Sequence, residues 1–188
     1  FRRVLFRSGP GLGQEAGAER LLDLVLQEAK KLPELPVVID ADGLNLLAKK
    51  RLYSTLGRQY VLTPHLREMS RLSGKSVQEI ADDMTSAVMG QQAGATIVLK
   101  DARTLVSDGD WLYINLSGNS ALSTGGSGDV LSGMIGGLLA QGCTQRTAAT
   151  LAVYMHGLTA EKYCESAPPH CMLARDILEM IPKIGGNS

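Results

Sequence analysis

The sequence predicts one α/β domain with a mostly parallel sheet covered by helices on both faces, and three observations predict it. Short apolar runs without alternation, "VVID" (37–40), "YVLT" (60–63) and "TIVL" (96–99), read as strands buried on both sides. Segments of helical spacing lie between them, the pattern of a parallel sheet. Polar residues then follow each run: Asp40, Asp42 and Asn45, next Thr63, His65 and Glu68, and finally Lys100. In open sheets of this type, ligands bind outside the carboxyl ends of the strands.

In chain order, "GPGLG" (9–13) is a turn, with three glycines and a proline in five residues. "EAGAERLLDLVLQEAKKL" follows as a helix whose broad apolar face carries Leu21, Leu22, Val25, Leu26 and Ala29. Pro33 and Pro36 end it ahead of the first strand. "DGLNLLAKK" is a short helix after that strand. Ser76 and Glu79 form a capping-box pattern that starts another helix, with Gly94 as its C-terminal stop. "TLVSDGDWLYI" reads as a hairpin turning near Asp108-Gly109. A glycine-rich loop and at least two helices complete the chain. No repeat, low-complexity tract or linker interrupts it, so residues 1–188 read as one domain.

Composition narrows the function classes. Lys+Arg and Asp+Glu are 19 each, so the formal net charge is zero, and this gives no support to a broad nucleic-acid or anionic-membrane surface. Aromatics make up only 4%, too few for base-stacking platforms. The three cysteines, Cys143, Cys164 and Cys171, form no C-x-x-C pair. They point to a reducing cytoplasm rather than to a disulfide framework or a zinc site. No apolar run reaches the roughly 18 residues of a membrane span. "FRRVLFRS" at the start lacks an initiator Met and is too short for a secretory signal. It reads as the beginning of a fragment.

The chemistry concentrates in "LSTGGSGDVLSG" (122–133). A helix start leaves backbone N–H groups unpaired and carries about +0.5 of a charge. Glycines ahead of it let those groups converge on an anion, and phosphate is the obvious guest. Gly125, Gly126 and Gly128 are expected to supply positive φ and close approach. Asp129 then stands at the helix start as an acceptor for a hydroxyl proton. Gly133, Gly136 and Gly137 share one face of the following helix. Each costs about 1 kcal/mol against alanine, so close packing against another element is expected there. A Walker A loop is excluded, because Asp129 occupies the lysine position. Plainer roles compete at single residues: His65 as a helix cap, His156 as core packing, His170 as a loop residue, Lys100 as a solvated strand end, and Asp40 and Asp42 as turn formers.

Taken together, "GPGLG", "VVIDADGLNLLA", "TPHLREMSRL", "IVLKDARTLV", "SGNSALSTGGSGDVLSGMIGGLLAQG" and "HGL" resemble the ADP/ATP-dependent NAD(P)H-hydrate dehydratases. The resemblance covers nearly all the chain from Gly9 onward. It implies a ribokinase-like three-layer α/β/α fold with a mostly parallel central sheet. It also implies that the N-terminal part of the fold is missing, and that residues 1–8 stand outside the family's sequence. The activity implied is repair of hydrated NADH and NADPH: the ring hydroxyl is phosphorylated from ADP or ATP, and phosphate is then eliminated. By matching position, Asp129 is the base, and Gly126 and Gly128 donate to the transferring phosphate. The nucleotide walls are Ser120 with Thr124, Gly125, Gly126, Ser127 and Gly128, and Lys100 with Asp101, Ala102, Arg103 and Thr104. Gly11, Gly13, His65, Glu68 and Arg71 hold the hydrate with Asp129. Magnesium accompanies the nucleotide as its counter-ion without a dedicated set of protein ligands. A homo-oligomer without nucleic-acid or membrane partners is implied. The chain departs from the family in having Asp101 where glycine is usual and Leu66 where proline is usual. Two other readings share the loop: a ribokinase-like kinase for a vitamin-precursor alcohol, and an inactive nucleotide-binding fragment.

Overall fold

The computed structural model describes residues 6–8, 11–13, 15–89 and 94–185. Six strands among them form one sheet in chain order. β1 (Phe6–Ser8), β2 (Val37–Ile39), β3 (Tyr60–Leu62) and β4 (Thr96–Leu99) run parallel. β5 (Leu105–Ser107) and β6 (Leu112–Ile114) continue the sheet as the expected antiparallel hairpin. β1 is a strand that the sequence reading did not place.

Each central strand divides its side chains between two cores, as the two-residue period of a strand requires. Val37, Ile39, Leu62, Ile97 and Leu99 enter one core. Val38, Val61, Val98 and Val106 enter the other. Both faces are apolar, so these runs carry no alternation in sequence. The first core is closed by α1 (Ala16–Lys31), α2 (Asp42–Lys49), α3 (Leu66–Ser73), α4 (Val77–Asp82) and α5 (Met84–Met89). The second is closed by α6 (Ser127–Ala140) and α7 (Gln145–Cys164). Topology dictates this division: parallel strands in sequential order, joined by crossovers of one hand, send every connecting helix to the same face. The opposite face waits for the helices that follow the hairpin. α8 (Ala174–Met180) packs Ile177 with Met172, Ala121 and Ala160 in a smaller cluster near the start of α6.

Three expectations are corrected. Leu21 lies outside the buried arc of α1, which is centred on Ala18, Leu22, Val25, Leu26 and Ala29. The helix begun by the Ser76–Glu79 capping box stops at Asp83, whose carboxylate accepts from the Ser86 amide and starts α5 afresh. A side chain that competes for backbone donors makes such a break. Gly94 has positive φ, but residues 90–93 lie outside the described residues. The glycine face of α6 finds no close partner among the described residues at two of its three positions: a Cβ at Gly136 or Gly137 would enter open space, and Gly133 is exposed.

Candidate active site

The site begins with the alternation of the sheet. One step beyond each parallel strand, Asp40, Thr63 and Lys100 continue the rows of Val38, Val61 and Val98, on the face that carries α6. The pairing of β3 with β4 extends past the strands through a bridge between His65 and Lys100, and the Lys100 amide donates to the Pro64 carbonyl. Lys100 Nζ lies 3.0 Å from Asp40 Oδ1, and Asp40 is 1% exposed. A Cβ added at Gly128 would sit 3.4 Å from Lys100 Nζ, so the ammonium stands at the opening turn of α6. Thr63 Oγ1 is buried and makes no hydrogen bond among the described residues.

Between the two acids of "DAD", Ala41 adopts φ 46°, ψ −118°. Positive φ in a residue with a Cβ is strained. The strained turn sends the acids to different partners: Asp40 to Lys100, and Asp42 to the amide of Gly13, 3.1 Å away. Gly11 and Gly13 themselves have φ of 81° and 75°, which glycine alone adopts freely. Gly13 is thereby tied to the residues that follow β2.

At the end of β3, His65 is the N-cap of α3. Its Nδ1 accepts from the amides of Arg67 and Glu68, while Glu68 Oε2 accepts from the His65 amide. The accepting Nδ1 assigns the proton to Nε2, which lies 3.5 Å from Glu68 Oε1. Glu68 is buried, and His65 exposes about half its side chain (48%), so capping leaves one edge of the ring open to solvent. Arg71, on the outer side of α3, donates to Asn45 Oδ1 on α2 at 2.8 Å.

The glycine loop is narrower than the expectation. Gly126 alone has positive φ (87°) and serves as the N-cap, while Gly125 and Gly128 do not need it. Asp129 is the third residue of α6 rather than its cap. The amides of Ser127, Asp129 and Val130 turn back to the carbonyls of Thr124 and Gly126. Those of Gly125, Gly126 and Gly128 donate to no acceptor among the described residues. These three amides are thus not engaged by described residues, and Gly128 lies beside the Lys100 ammonium; unengaged N–H groups at a helix start next to a positive charge suit an anion.

His156 and Gly157, on α7, support this loop from beneath. His156 Nε2 lies 3.1 Å from the Ser127 carbonyl oxygen and 3.2 Å from Ser127 Oγ, with the ring buried. Burial pulls its pKa down to about 4, against a smaller upward pull from the Ser127 carbonyl, and the Lys100 charge lowers it further. The ring is thus a neutral donor to the first turn of α6, which joins the packing role read from sequence to a polar one. Gly157 lies directly under Ser117: a Cβ there would fall 2.1 Å from Ser117 Oγ and 2.6 Å from its carbonyl carbon. Only glycine lets the 115–119 loop lie this close to α7.

These elements enclose a cavity of about 560 Å³. Lys100, Asp101, Ala102, Thr104 and Ser120 line it, as the sequence placed them in a nucleotide site. Arg103 is exposed and does not, while Thr124, Gly125, Gly126, Ser127 and Gly128 form the adjoining loop rather than its lining. Asn115, Ser117, Gly118, Asn119 and His156 line it too and were not assigned from sequence. The buried Asn115 organises that wall: its Nδ2 donates to the Ser117 carbonyl, and its Oδ1 accepts from Tyr113 Oη and Ser117 Oγ. The available signals were the small polar run "NLSGN" and the "HGL" triplet on α7.

Comparison with known proteins agrees with this arrangement. The profile of the NAD(P)H-hydrate dehydratase family matches residues 5–183. The ADP-dependent (S)-NAD(P)H-hydrate dehydratase of Neisseria meningitidis is 44% identical over 165 residues, covering 85% of this chain and 55% of that protein. The bifunctional NAD(P)H-hydrate repair enzyme of Coxiella burnetii is 38% identical over 172 residues, 90% of this chain and 34% of the relative. The crystal structure of the ADP/ATP-dependent NAD(P)H-hydrate dehydratase from Bacillus subtilis, co-crystallised with ATP and Mg²⁺, superposes with a TM-score of 0.78 at 30% identity. It covers 95% of this chain and 62% of that one. A hydroxyethylthiazole kinase from Pyrococcus horikoshii, TM-score 0.74 at 22% identity, shares the fold. This chain therefore spans between a third and somewhat over half of the length of these curated relatives. With its α6 loop, its sheet order and its match over nearly the whole chain, it belongs to the NAD(P)H-hydrate dehydratase family.

Proposed function

We propose that this chain carries the catalytic half-site of an ADP- or ATP-dependent dehydratase acting on the hydrates of NADH and NADPH. The observation that carries the reading is the start of α6. The amides of Gly125, Gly126 and Gly128 have no acceptor among the described residues, Gly128 lies beside Lys100 Nζ, and Asp129 is in the same turn. The amides and ammonium stabilise charge on a phosphoryl group in transfer. Asp129 accepts the proton of the ring hydroxyl as its oxygen attacks the terminal phosphorus of the nucleotide. A phosphate ester is a far better leaving group than hydroxide. Phosphate departs with the electron pair of its bond to the ring carbon, the neighbouring ring carbon loses a proton, and the pair of that C–H bond forms the double bond that restores the reduced nicotinamide. The cavity walled by Lys100, Asp101, Thr104, Ser117 and Ser120 receives the adenine nucleotide. Gly11, Gly13, His65, Glu68 and Arg71 flank the hydrate.

Magnesium is the nucleotide's counter-ion in this reading, held chiefly by phosphate oxygens and water. The buried acids nearest the loop fit that division: Asp40 is engaged by Lys100, and Glu68 by the His65 amide. The protein works in the cytoplasm, as a homo-oligomer. The test is direct. NADH or NADPH hydrate with Mg²⁺ and ADP or ATP should regain reduced-nicotinamide absorbance, with one nucleotide consumed per cofactor recovered. A stable phosphorylated alcohol with no recovered absorbance would establish the kinase reading instead.

A further inference from the structure

A groove between α2 and α3 gathers four basic side chains away from the α6 loop. It consists of two adjoining hollows of about 500 and 560 Å³ that share Ala48 and Arg71. Arg51, Arg71, Lys75 and Lys49 line them, and no carboxylate does. Lys49 is paired with Glu19. Arg51, Arg71 and Lys75 make no ion pair among the described residues; Arg71 is held by Asn45, and Lys75 has Glu79 and Asp83 near enough to feel its charge. On a chain of zero formal net charge, such one-sided charge is segregated rather than an overall excess. Arg51 has φ 55°, a strained value for a residue with a Cβ. Hydroxyls of Ser54, Ser73 and Ser86 line the same hollow.

The groove leads away from the proposed hydrate site. Asn45 stands one turn along α2 from Asp42, which holds the Gly13 amide. Arg71 stands about 9 Å along α3 from His65 at the helical rise per residue. We propose that this groove takes the phosphate groups of the dinucleotide hydrate that lie remote from its nicotinamide ring, with Arg51 and Lys75 as the added contacts. The proposal rests on the dehydratase reading for the identity of the ligand. The shared chemistry is a phosphate ester, supplied by the pyrophosphate of either cofactor or by the 2′-phosphate of NADPH alone.

The test titrates NADPH and NADH fluorescence against the full chain with saturating ADP and Mg²⁺, so that the adenine cavity is filled. The Arg51→Gly/Lys75→Ala double variant is compared with the parent. Both positions are exposed, and glycine suits the backbone at residue 51. The expected result is at least about a tenfold rise in Kd, the effect of losing one or two charge-assisted contacts. Added salt should weaken the parent more than the variant. An equal rise for both cofactors identifies the pyrophosphate as the bound group, and a rise for NADPH alone identifies the 2′-phosphate. A folded double variant that binds both cofactors as the parent does overturns the proposal, as does a parent that binds neither. Hydrate turnover by the same preparations separates the two readings. Turnover by the parent with an unchanged KM in the variant fells the groove alone. Groove-dependent binding without turnover fells the dehydratase reading alone.

Discussion

Asp129 shows how far a single residue can be read. Its place in the first turn of α6, beside amides without an acceptor among the described residues, suits a carboxylate that takes a proton from a bound hydroxyl. Asp129→Asn keeps the size and the turn. It should retain ADP binding and lose turnover by at least about 10²-fold. Near-normal turnover in a folded Asn variant would remove Asp129 from the mechanism. His65 caps α3 through its amide and Nδ1, and its side chain remains half exposed, so the cap is compatible with the ligand contact proposed for it. Lys100 is not the solvated strand end that the sequence left open. It is held by Asp40, a carboxylate that is itself buried, at the start of α6. A buried acid whose partner were removed would be left uncompensated, so the two are best regarded as one unit.

At the level of elements, the loop before α6 depends on one left-handed glycine. A Cβ at Gly126 would both strain φ 87° and press on the Ala174 methyl of α8 at 3.1 Å. Gly126→Ala should therefore lower stability by roughly 1–2 kcal/mol and tilt the first turn of α6. Thermal unfolding with and without ADP measures this. If the variant is stabilised by ADP as strongly as the parent, the amides of this loop are not the phosphate cradle. The glycine face of α6 has no close partner at Gly136 or Gly137 among the described residues, and nothing in the structure accounts for the helix propensity spent there.

The whole molecule should respond to acid through His156. The folded protein holds this imidazole neutral down to about pH 4, whereas the unfolded chain protonates it near its ordinary value of 6.5. Between those values the unfolded state binds a proton that the folded state does not, so stability falls as pH falls through that window. The full effect is roughly 3 kcal/mol, present above pH 6.5 and lost by about pH 4. Lys100 is the charged group that reinforces it. Denaturant unfolding from pH 7 to 4 should therefore show a slope that His156→Gln flattens. Gln keeps an N–H donor for the Ser127 carbonyl but does not titrate. An unchanged slope in the Gln variant would place the acid sensitivity elsewhere.

The sequence by itself determined the strands from "VVID" to "TIVL", the hairpin, the α6 loop and the identity of Asp129 and Lys100. These are local signals: apolar runs, turn residues and a glycine-rich helix start, each visible within a dozen residues. It also grouped Asp101, Ala102, Thr104 and Ser120, which the structure brings to one cavity, through a resemblance rather than through spacing. Only the tertiary structure decided what residues far apart in sequence do to one another. The ion pair of Asp40 with Lys100 spans 60 positions, the support of Ser127 by His156 spans 29, and Gly157 accommodates Ser117 across 40 positions, separations that no local pattern records. The same holds for the helices: sequential parallel strands put α1 to α5 on one face and leave the other for α6 and α7. A residue's spacing reveals which side of its own element is apolar, but its partner is chosen by the packing of other elements, and there the site is made.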